Sequence, residues 1–182
     1  MDAEDIAYLS ATELVAAYRS RQLSPLEVTR IVLERIDTLN PRLNAFVLVD
    51  AEGALRDARA SEDRWLRGEP MGPLDGVPTS VKDLILARGW PTLRGSRTVD
   101  PAGPWDVDAP STARLREAGA VLLGKTATPE FGWRGSTDSP LSGITRNPWD
   151  LAKTPGGSSG GAVAAITAGL GALATGTDGG GS

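Results

Sequence analysis

The chain has 182 residues, enough for one domain with a hydrophobic core, and 40% hydrophobic and 23% charged residues are typical of a folded protein. It contains no histidine and no cysteine, which excludes a Ser-His-Asp site, a cysteine nucleophile, disulfides and a thiolate zinc site, and disfavours other transition-metal centres. The net charge of −4 and the pI of about 4.9 argue against a nucleic-acid-binding surface, which needs clustered Lys and Arg.

Helices are predicted to dominate the first 68 residues. Two capping boxes, in each of which a Ser is followed three residues later by Glu, predict helices that begin after Ser10 and Ser24. The second helix carries an apolar stripe and is expected to end at Asn40-Pro41. A short apolar run predicts a strand over residues 45–49, and the Ala-rich and Arg-rich segment 51–67 predicts another helix.

The remainder of the chain alternates between short apolar runs, helical segments and long stretches without a clear period. We predict strands at 79–84, 120–123 and 170–175, helices at 111–118 and 160–168, and loops at 88–110 and 126–155. Helices followed by strand-helix alternation predict an α/β fold with a mixed central sheet covered by helices.

One segment imitates a phosphate-binding loop. Residues 119–126 fit the pattern G-x-x-x-x-G-K-T, but the four residues between the glycines are apolar. A phosphate loop exposes its backbone N–H groups there and is followed by a helix, whereas Ala127-Thr128-Pro129 follows here. We therefore interpret this segment as a buried strand.

Two segments of the chain contain serines flanked by glycines. The first is Gly156–Gly161, which contains Ser158 and Ser159. Its composition alone favours a flexible linker, but it runs directly into an apolar, helix-forming stretch. Both serines are therefore expected near a helix N-terminus, where free N–H groups favour developing negative charge.

The second segment, Gly176–Ser182, follows an apolar run and places three consecutive glycines before Ser182. Consecutive glycines allow backbone N–H groups to turn toward one point without obstruction by side chains. This is the requirement of an oxyanion hole, although a structural turn is the alternative.

Lys82 is the candidate base, since no histidine is available. A lone Lys at the end of a strand is ordinarily a surface residue. A buried Lys serves as a base if desolvation lowers its pKa, and being half neutral at pH 7 requires a drop of about 3.4 units, roughly 4.6 kcal/mol.

Three stretches, at residues 76–83, 147–161 and 176–182, together resemble the amidase signature family in order and spacing. The resemblance covers the chain from about residue 72 to its end. It implies that 1–182 is the N-terminal part of a single amidase domain, with a helical region at about 1–68 and a catalytic core at about 72–182. Family members continue well past the nucleophile, so we expect the fold to be truncated there and this chain alone to be inactive.

The resemblance also implies the role of each residue in a Ser-Ser-Lys triad. Ser182 would be the nucleophile, Ser158 the bridging serine with a cis peptide bond, and Lys82 the base. Backbone N–H groups of Gly179, Gly180, Gly181 and Ser182 would form the oxyanion hole. The supporting residues would be Gly157, Ser159, Thr177 and Asp178.

The activity implied is hydrolysis of a small-molecule carboxylic amide through an acyl-Ser intermediate, without a metal or an organic cofactor. Two alternatives stay open: the catalytic subunit of an aminoacyl-tRNA amidotransferase, and an inactive fragment that acts as a binding module. We expect no nucleic-acid partner and no membrane segment, and a homodimer stays open. The acidic N-terminus without a secretory pattern favours a cytoplasmic location.

Overall fold

A four-stranded mixed sheet forms the centre of the protein in the computed structural model, which describes all 182 residues. Its strands are β1 (Phe46–Val49), β2 (Pro78–Lys82), β3 (Val121–Thr126) and β6 (Leu173–Ala174), and a separate hairpin contains β4 (Asp138–Ser139) and β5 (Gly143–Ile144). The order in the sheet is β1-β3-β2-β6. β3 runs antiparallel to β1 and parallel to β2, which is also parallel to β6. The predicted α/β fold with a mixed sheet is confirmed.

Six α-helices surround this sheet: α1 (Ala3–Ala7), α2 (Ala11–Ser20), α3 (Pro25–Leu43), α4 (Ala51–Arg67), α5 (Pro110–Glu117) and α6 (Gly160–Thr167). Both capping boxes form as predicted, and the Oγ atoms of Ser10 and Ser24 accept hydrogen bonds from the N–H groups of Glu13 and Glu27. Helix α1 was not predicted, because five residues are too few to show a helical period. Asp2 and Asp5 close a capping box at its start.

Helix α3 continues past its predicted end. Pro41 lies inside the last turn, where its missing N–H removes a single hydrogen bond, and the helix ends at Leu43. Asn44 then adopts a left-handed conformation with φ of 51°. The side chain of Asn40 accepts hydrogen bonds from the N–H groups of Ala45 and Phe46 at 2.9 and 2.8 Å. Asn40 therefore directs the chain from α3 into β1 instead of ending the helix.

The later elements differ from prediction mainly in length. β6 contains only two residues, and Leu170 belongs to the turn that follows α6, where its N–H donates to the carbonyl of Ala165. The stretch 126–155 is mostly loop, as predicted, but it holds the β4-β5 hairpin and a 3-10 turn at Glu130–Gly132. The segment that resembles a phosphate loop does contain a buried strand, which is β3 over Val121–Thr126 and not 120–123, and the Lys125 side chain in it is fully enclosed.

The sheet separates two apolar clusters. Val121 and Leu123 of β3 face the larger cluster, which is shared with the helices, whereas Leu122 faces a smaller cluster with Val81 and Trp90. Because side chains alternate along a strand, Lys82 points to the opposite face from Val81, toward α6. No helix in the structure combines the length and apolar character needed to cross a membrane.

Close packing at Gly161 brings the N-terminus of α6 against the sheet. A Cβ atom at this position would lie 2.7 Å from the carbonyl oxygen of Ala45 and still closer to the backbone of Ala127. Backbone atoms do not yield as a flexible side chain does. Glycine at 161 is therefore required for α6 to approach the edge of β1 and β3.

Replacing Gly161 with Ala is expected to lower the free energy of unfolding by about 1–3 kcal/mol, because the added methyl group forces α6 away from the sheet. Gly135→Ala is the matched control, since a Cβ at Gly135 meets no atom within 4 Å. Urea denaturation of both variants measures the difference. Equal stability of the two would contradict the close approach.

Candidate active site

Lys82 is the last residue of β2, and its side chain is completely buried. Its Nζ atom lies 2.7 Å from Ser158 Oγ, 2.9 Å from Ser159 Oγ and 2.8 Å from Thr177 Oγ1. Lys82 forms no salt bridge, whereas the other buried lysine, Lys125, is paired with Asp83. A buried cation without a directly paired carboxylate is costly, so the burial of Lys82 favours the neutral amine.

The three hydroxyl groups around Lys82 differ in their other partners. Ser159 Oγ donates to the carbonyl oxygen of Thr177 at 3.2 Å and accepts from the N–H of Thr177 at 3.3 Å. Its hydrogen is therefore committed, and it accepts a hydrogen bond from Lys82. Ser158 Oγ has Lys82 as its one hydrogen-bond partner. The hydroxyl hydrogen of Ser158 is thus free to point at the Lys82 amine or into the cleft.

Ser158 and Ser159 directly precede α6, as predicted. The peptide bond between Gly157 and Ser158 is cis. A Cβ at Gly157 would lie within 2.8–2.9 Å of the Ser136 backbone, so this position also requires glycine.

Two of the N–H groups expected to be free at this helix end are already bound. The N–H of Gly160 donates to Thr137 Oγ1 at 3.1 Å, and that of Gly161 donates to the carbonyl of Ala127 at 3.3 Å. Thr137 Oγ1 donates in turn to the carbonyl of Gly156 at 2.8 Å. These contacts fix the turn that holds Ser158, instead of offering donors to a bound anion.

The loop after β6 carries the remaining candidates, and Asp178 organises it. Asp178 Oδ1 accepts hydrogen bonds from the N–H groups of Gly180 and Ser182 at 2.9 Å each and from that of Gly181. These hydrogen bonds lower the pKa of Asp178, which keeps the carboxylate ionised. Three of the four N–H groups expected in the oxyanion hole therefore bind Asp178, while the N–H of Gly179 donates no hydrogen bond.

Ser182 lies in the same cleft as Ser158, but the two side chains are not hydrogen-bonded to each other. The cleft has a volume of about 940 Å³, and its lining includes both serines and the loop from Thr177 to Ser182. Ser182 is exposed, and its hydroxyl makes no hydrogen bond with Ser158 or Lys82. The structure thus brings Lys82 and Ser158 into contact and leaves Ser182 at the open side of the cleft.

Burial is the main influence on the charge of Lys82. It lowers the pKa of Lys82 to about 8, and the negative charge of Asp178 opposes this by raising it. Of the charged groups, Asp178 is therefore the one that favours the protonated form of Lys82. No group of three or more Asp, Glu, His or Cys side chains is arranged to hold a metal ion.

Sequence reasoning did not identify the residues that cover this site from the loop 126–155. Thr137 fixes the turn before α6, and Gly132, with φ of 70°, passes over Ser158. A Cβ at Gly132 would lie 2.6 Å from the Leu84 side chain and 3.6 Å from Ser158 Oγ. Their segment shows no period, so no local signal places these residues near Lys82.

Fold and site together define an α/β protein in which a buried lysine contacts a serine beside an open cleft. The sequence model of the Amidase family matches residues 27–182. The chain is 46% identical to an acylamidase of Rhodococcus erythropolis, over 100% of this chain and 38% of that protein. It is 47% identical to a subunit of the glutamyl-tRNA(Gln) amidotransferase of Acidothermus cellulolyticus, over 98% of this chain and 35% of that protein.

A solved structure is similar over most of the chain as well. A bacterial aryl acylamidase of the amidase signature family superposes with a TM-score of 0.80 and 38% identity, over 90% of this chain and 34% of that one. The chain therefore belongs to the amidase signature family, and the resemblance seen in its motifs is confirmed. It spans about a third of the length of the relatives it matches.

The pH dependence of stability tests the burial of Lys82. Its folded pKa of about 8 lies below the ordinary lysine value of 10.5, so the unfolded chain binds more protons between these values and stability rises with pH there. Lys82→Met removes this rise. The stability of the variant relative to the wild type should therefore fall by up to about 3 kcal/mol as pH increases from 8 to 10.5.

Urea denaturation across this pH range measures the difference, and Lys153→Met, which removes an exposed lysine, is the matched control. A relative stability of Lys82→Met that stays constant with pH would show that Lys82 is not desolvated.

Proposed function

We propose that the protein is an amidase, which hydrolyses a carboxylic amide to an acid and ammonia or an amine. The observation that carries this proposal is the contact of 2.7 Å between Lys82 Nζ and Ser158 Oγ, made by a lysine that is fully buried and has no salt bridge. With a pKa lowered to about 8, this lysine is partly neutral near neutral pH and can then accept a proton. The serine beside it has a hydroxyl hydrogen with no other acceptor. The likeness to an acylamidase supports the same reaction.

In this mechanism Ser182 is the nucleophile and Ser158 is the relay. As Ser182 Oγ forms a bond to the amide carbon, its proton passes to Ser158, whose own proton passes to the neutral Lys82 amine. The proton then returns by the same path to the leaving nitrogen as the C–N bond breaks. Water then attacks the acyl-Ser182 ester, and its proton passes through Ser158 to Lys82. This proton returns through Ser158 to Ser182 Oγ as the ester C–O bond breaks and the acid is released. The relay requires Ser182 to approach Ser158 when substrate is bound.

The oxyanion of the tetrahedral intermediate is assigned to the N–H groups of Gly179, Gly180, Gly181 and Ser182. The consecutive glycines supply a backbone without side-chain obstruction, and the N–H of Gly179 has no other acceptor. Asp178 binds the other three N–H groups, so it preserves the curvature of the loop when no substrate is bound. When the oxyanion forms, these three N–H groups leave the Asp178 carboxylate and donate to the oxyanion instead.

A second candidate is the catalytic subunit of an aminoacyl-tRNA amidotransferase. It is favoured by the 47% identity to a glutamyl-tRNA(Gln) amidotransferase subunit. The same acyl-enzyme chemistry would then act on glutamine and release ammonia to a partner protein. The residues of the site serve both reactions equally, since both begin with attack of Ser182 on a primary or secondary amide.

Substitution of the nucleophile and the base tests the mechanism in the full-length protein. Ser182→Ala and Lys82→Ala are each expected to reduce hydrolysis of a panel of aryl and alkyl amides by about 10⁴-fold or more, because members of a catalytic relay act as a unit. Ser20→Ala, which removes an exposed hydroxyl bonded only to the Ala17 carbonyl, is the matched control. Hydrolysis that survives Ser182→Ala would contradict the assignment of the nucleophile.

The two candidate functions are separated by their partners and substrates. An amidase hydrolyses simple amides as a single kind of chain. The catalytic chain of an amidotransferase would co-purify with a second protein and hydrolyse glutamine only when charged tRNA is present. Glutamine hydrolysis measured with and without tRNA, on protein isolated from its own host, decides between them.

A further inference from the structure

A second buried lysine lies on β3, the strand next to β2, and has no part in the proposed mechanism. Lys125 of β3 is fully enclosed, and its Nζ atom lies 3.4 Å from Asp83 Oδ1, whose side chain is 4% exposed. Lys125 Nζ also donates to the carbonyl of Ile85 and to Thr92 Oγ1, each at 2.7 Å. Its hydrogen bonds therefore all end on the segment that follows Lys82.

Stability alone does not explain this pair. Removing two charges from water is costly, and apolar residues of similar size often stabilise a protein equally well or better. The cost is visible in the pair itself: burial raises the pKa of Asp83 and lowers the pKa of Lys125 to about 8. A specific task for the pair is the alternative, and its position relative to Lys82 indicates one.

Asp83 is fixed at the point where β2 ends. Its N–H donates to the carbonyl of Thr126 at 3.0 Å, its carboxylate lies 3.4 Å from Lys125 Nζ, and the backbone N–H groups of Arg94 and Gly95 act to lower the pKa of this carboxyl group. Asp83 directly follows Lys82 and points to the opposite face of the sheet. Fixing Asp83 therefore fixes the backbone from which the Lys82 side chain projects toward Ser158.

The contacts of Asp83 also extend to residues that line the cleft. Arg94 and Gly95 adopt positive φ angles of 56° and 65°, which turn their N–H groups toward Asp83. The carbonyl of Arg94 then accepts from the N–H of Phe131 at 2.8 Å, and Phe131 lines the cleft next to Gly132. Asp83 thus connects the base to the segment that covers Ser158.

We propose that Asp83 and Lys125 are positioning residues for Lys82, a buried pair that fixes the end of β2 and adds no net charge next to the base. This inference rests on the proposed function, in which Lys82 must be neutral to accept a proton. The charged groups that face the three side chains are Asp178 toward Lys82 and Arg94 toward Lys125. With the pair intact, burial and Asp178 together set the charge of Lys82. With one member removed, the other adds an uncompensated charge over the pH range in which it stays ionised.

Single and double substitutions in the full-length protein test this inference. The acid limb is the part of the pH–rate profile in which the rate falls because Lys82 becomes protonated. In Lys125→Met the unpaired carboxylate should move this limb to a pH about one unit higher. In Asp83→Asn the unpaired ammonium should move it to a lower pH by a similar amount. The double variant should return it to the wild-type position. The readout is the rate at which a fluorophosphonate labels Ser182 between about pH 5 and 10, and Lys125→Met should be about ten-fold slower at pH 7.

A second readout does not depend on catalysis. The ¹³Cε signal of Lys82, assigned by its loss in Lys82→Met, reports the protonation of this lysine directly, and residues 1–182 contain only three lysines. If Ser182 of the wild type is not labelled, the proposed function fails, and this titration still decides the inference about the pair.

A purely structural pair would lower stability without moving the titration of Lys82. The inference would therefore be overturned if the acid limb or the ¹³C titration had the same midpoint in the wild type, both single variants and the double variant. Shifts of the same sign in the two single variants would also overturn it. Asp83→Asn nearly preserves shape and keeps one acceptor oxygen, so it decides the question even if Lys125→Met does not fold. Circular dichroism confirms which variants are folded.

Discussion

Lys82 extends from the end of β2 into the interior without a carboxylate to pair with, and three hydroxyl groups receive its amine. This arrangement requires three remote segments to meet: β2, the turn before α6, and the loop after β6. The turn before α6 reaches the site through close backbone packing that side chains would obstruct, at Gly157 and Gly161. The lowered pKa of Lys82 is thus a consequence of close packing, because packing excludes the water that would otherwise stabilise its charge.

The two buried lysines show how neighbours give the same residue type different properties. Lys125 lies among a carboxylate, a carbonyl and a hydroxyl, which together suit a cation. Lys82 lies among hydroxyl groups alone, which accept from either protonation state and can also donate to a neutral amine. Lys82 ends β2 and Asp83 directly follows it, so their side chains point to opposite faces of the sheet. The two lysines therefore have different neighbours, although the same stretch of backbone carries Lys82 and the partner of Lys125.

Local sequence signals predicted those elements whose ends are set by neighbouring residues. The Ser10 and Ser24 capping boxes gave helix starts correctly, because a cap joins residues three positions apart. Pro41 misled the prediction of a helix end, since a proline in the last turn removes only one hydrogen bond. Thr137 and Gly132 lie in a stretch without a period, and their proximity to Ser158 depends on contacts far along the chain.

By itself, the sequence determined the family, the mixed α/β fold and the identity of the candidate residues Lys82, Ser158 and Ser182, because motif order and the absence of histidine are properties of the chain. Only the tertiary structure decided which of them touch. It places Lys82 against Ser158 and encloses the Asp83–Lys125 pair. It also shows that the N–H groups of residues 180–182 donate to Asp178. Burial and hydrogen-bond direction depend on residues remote in sequence, so no local pattern contains them.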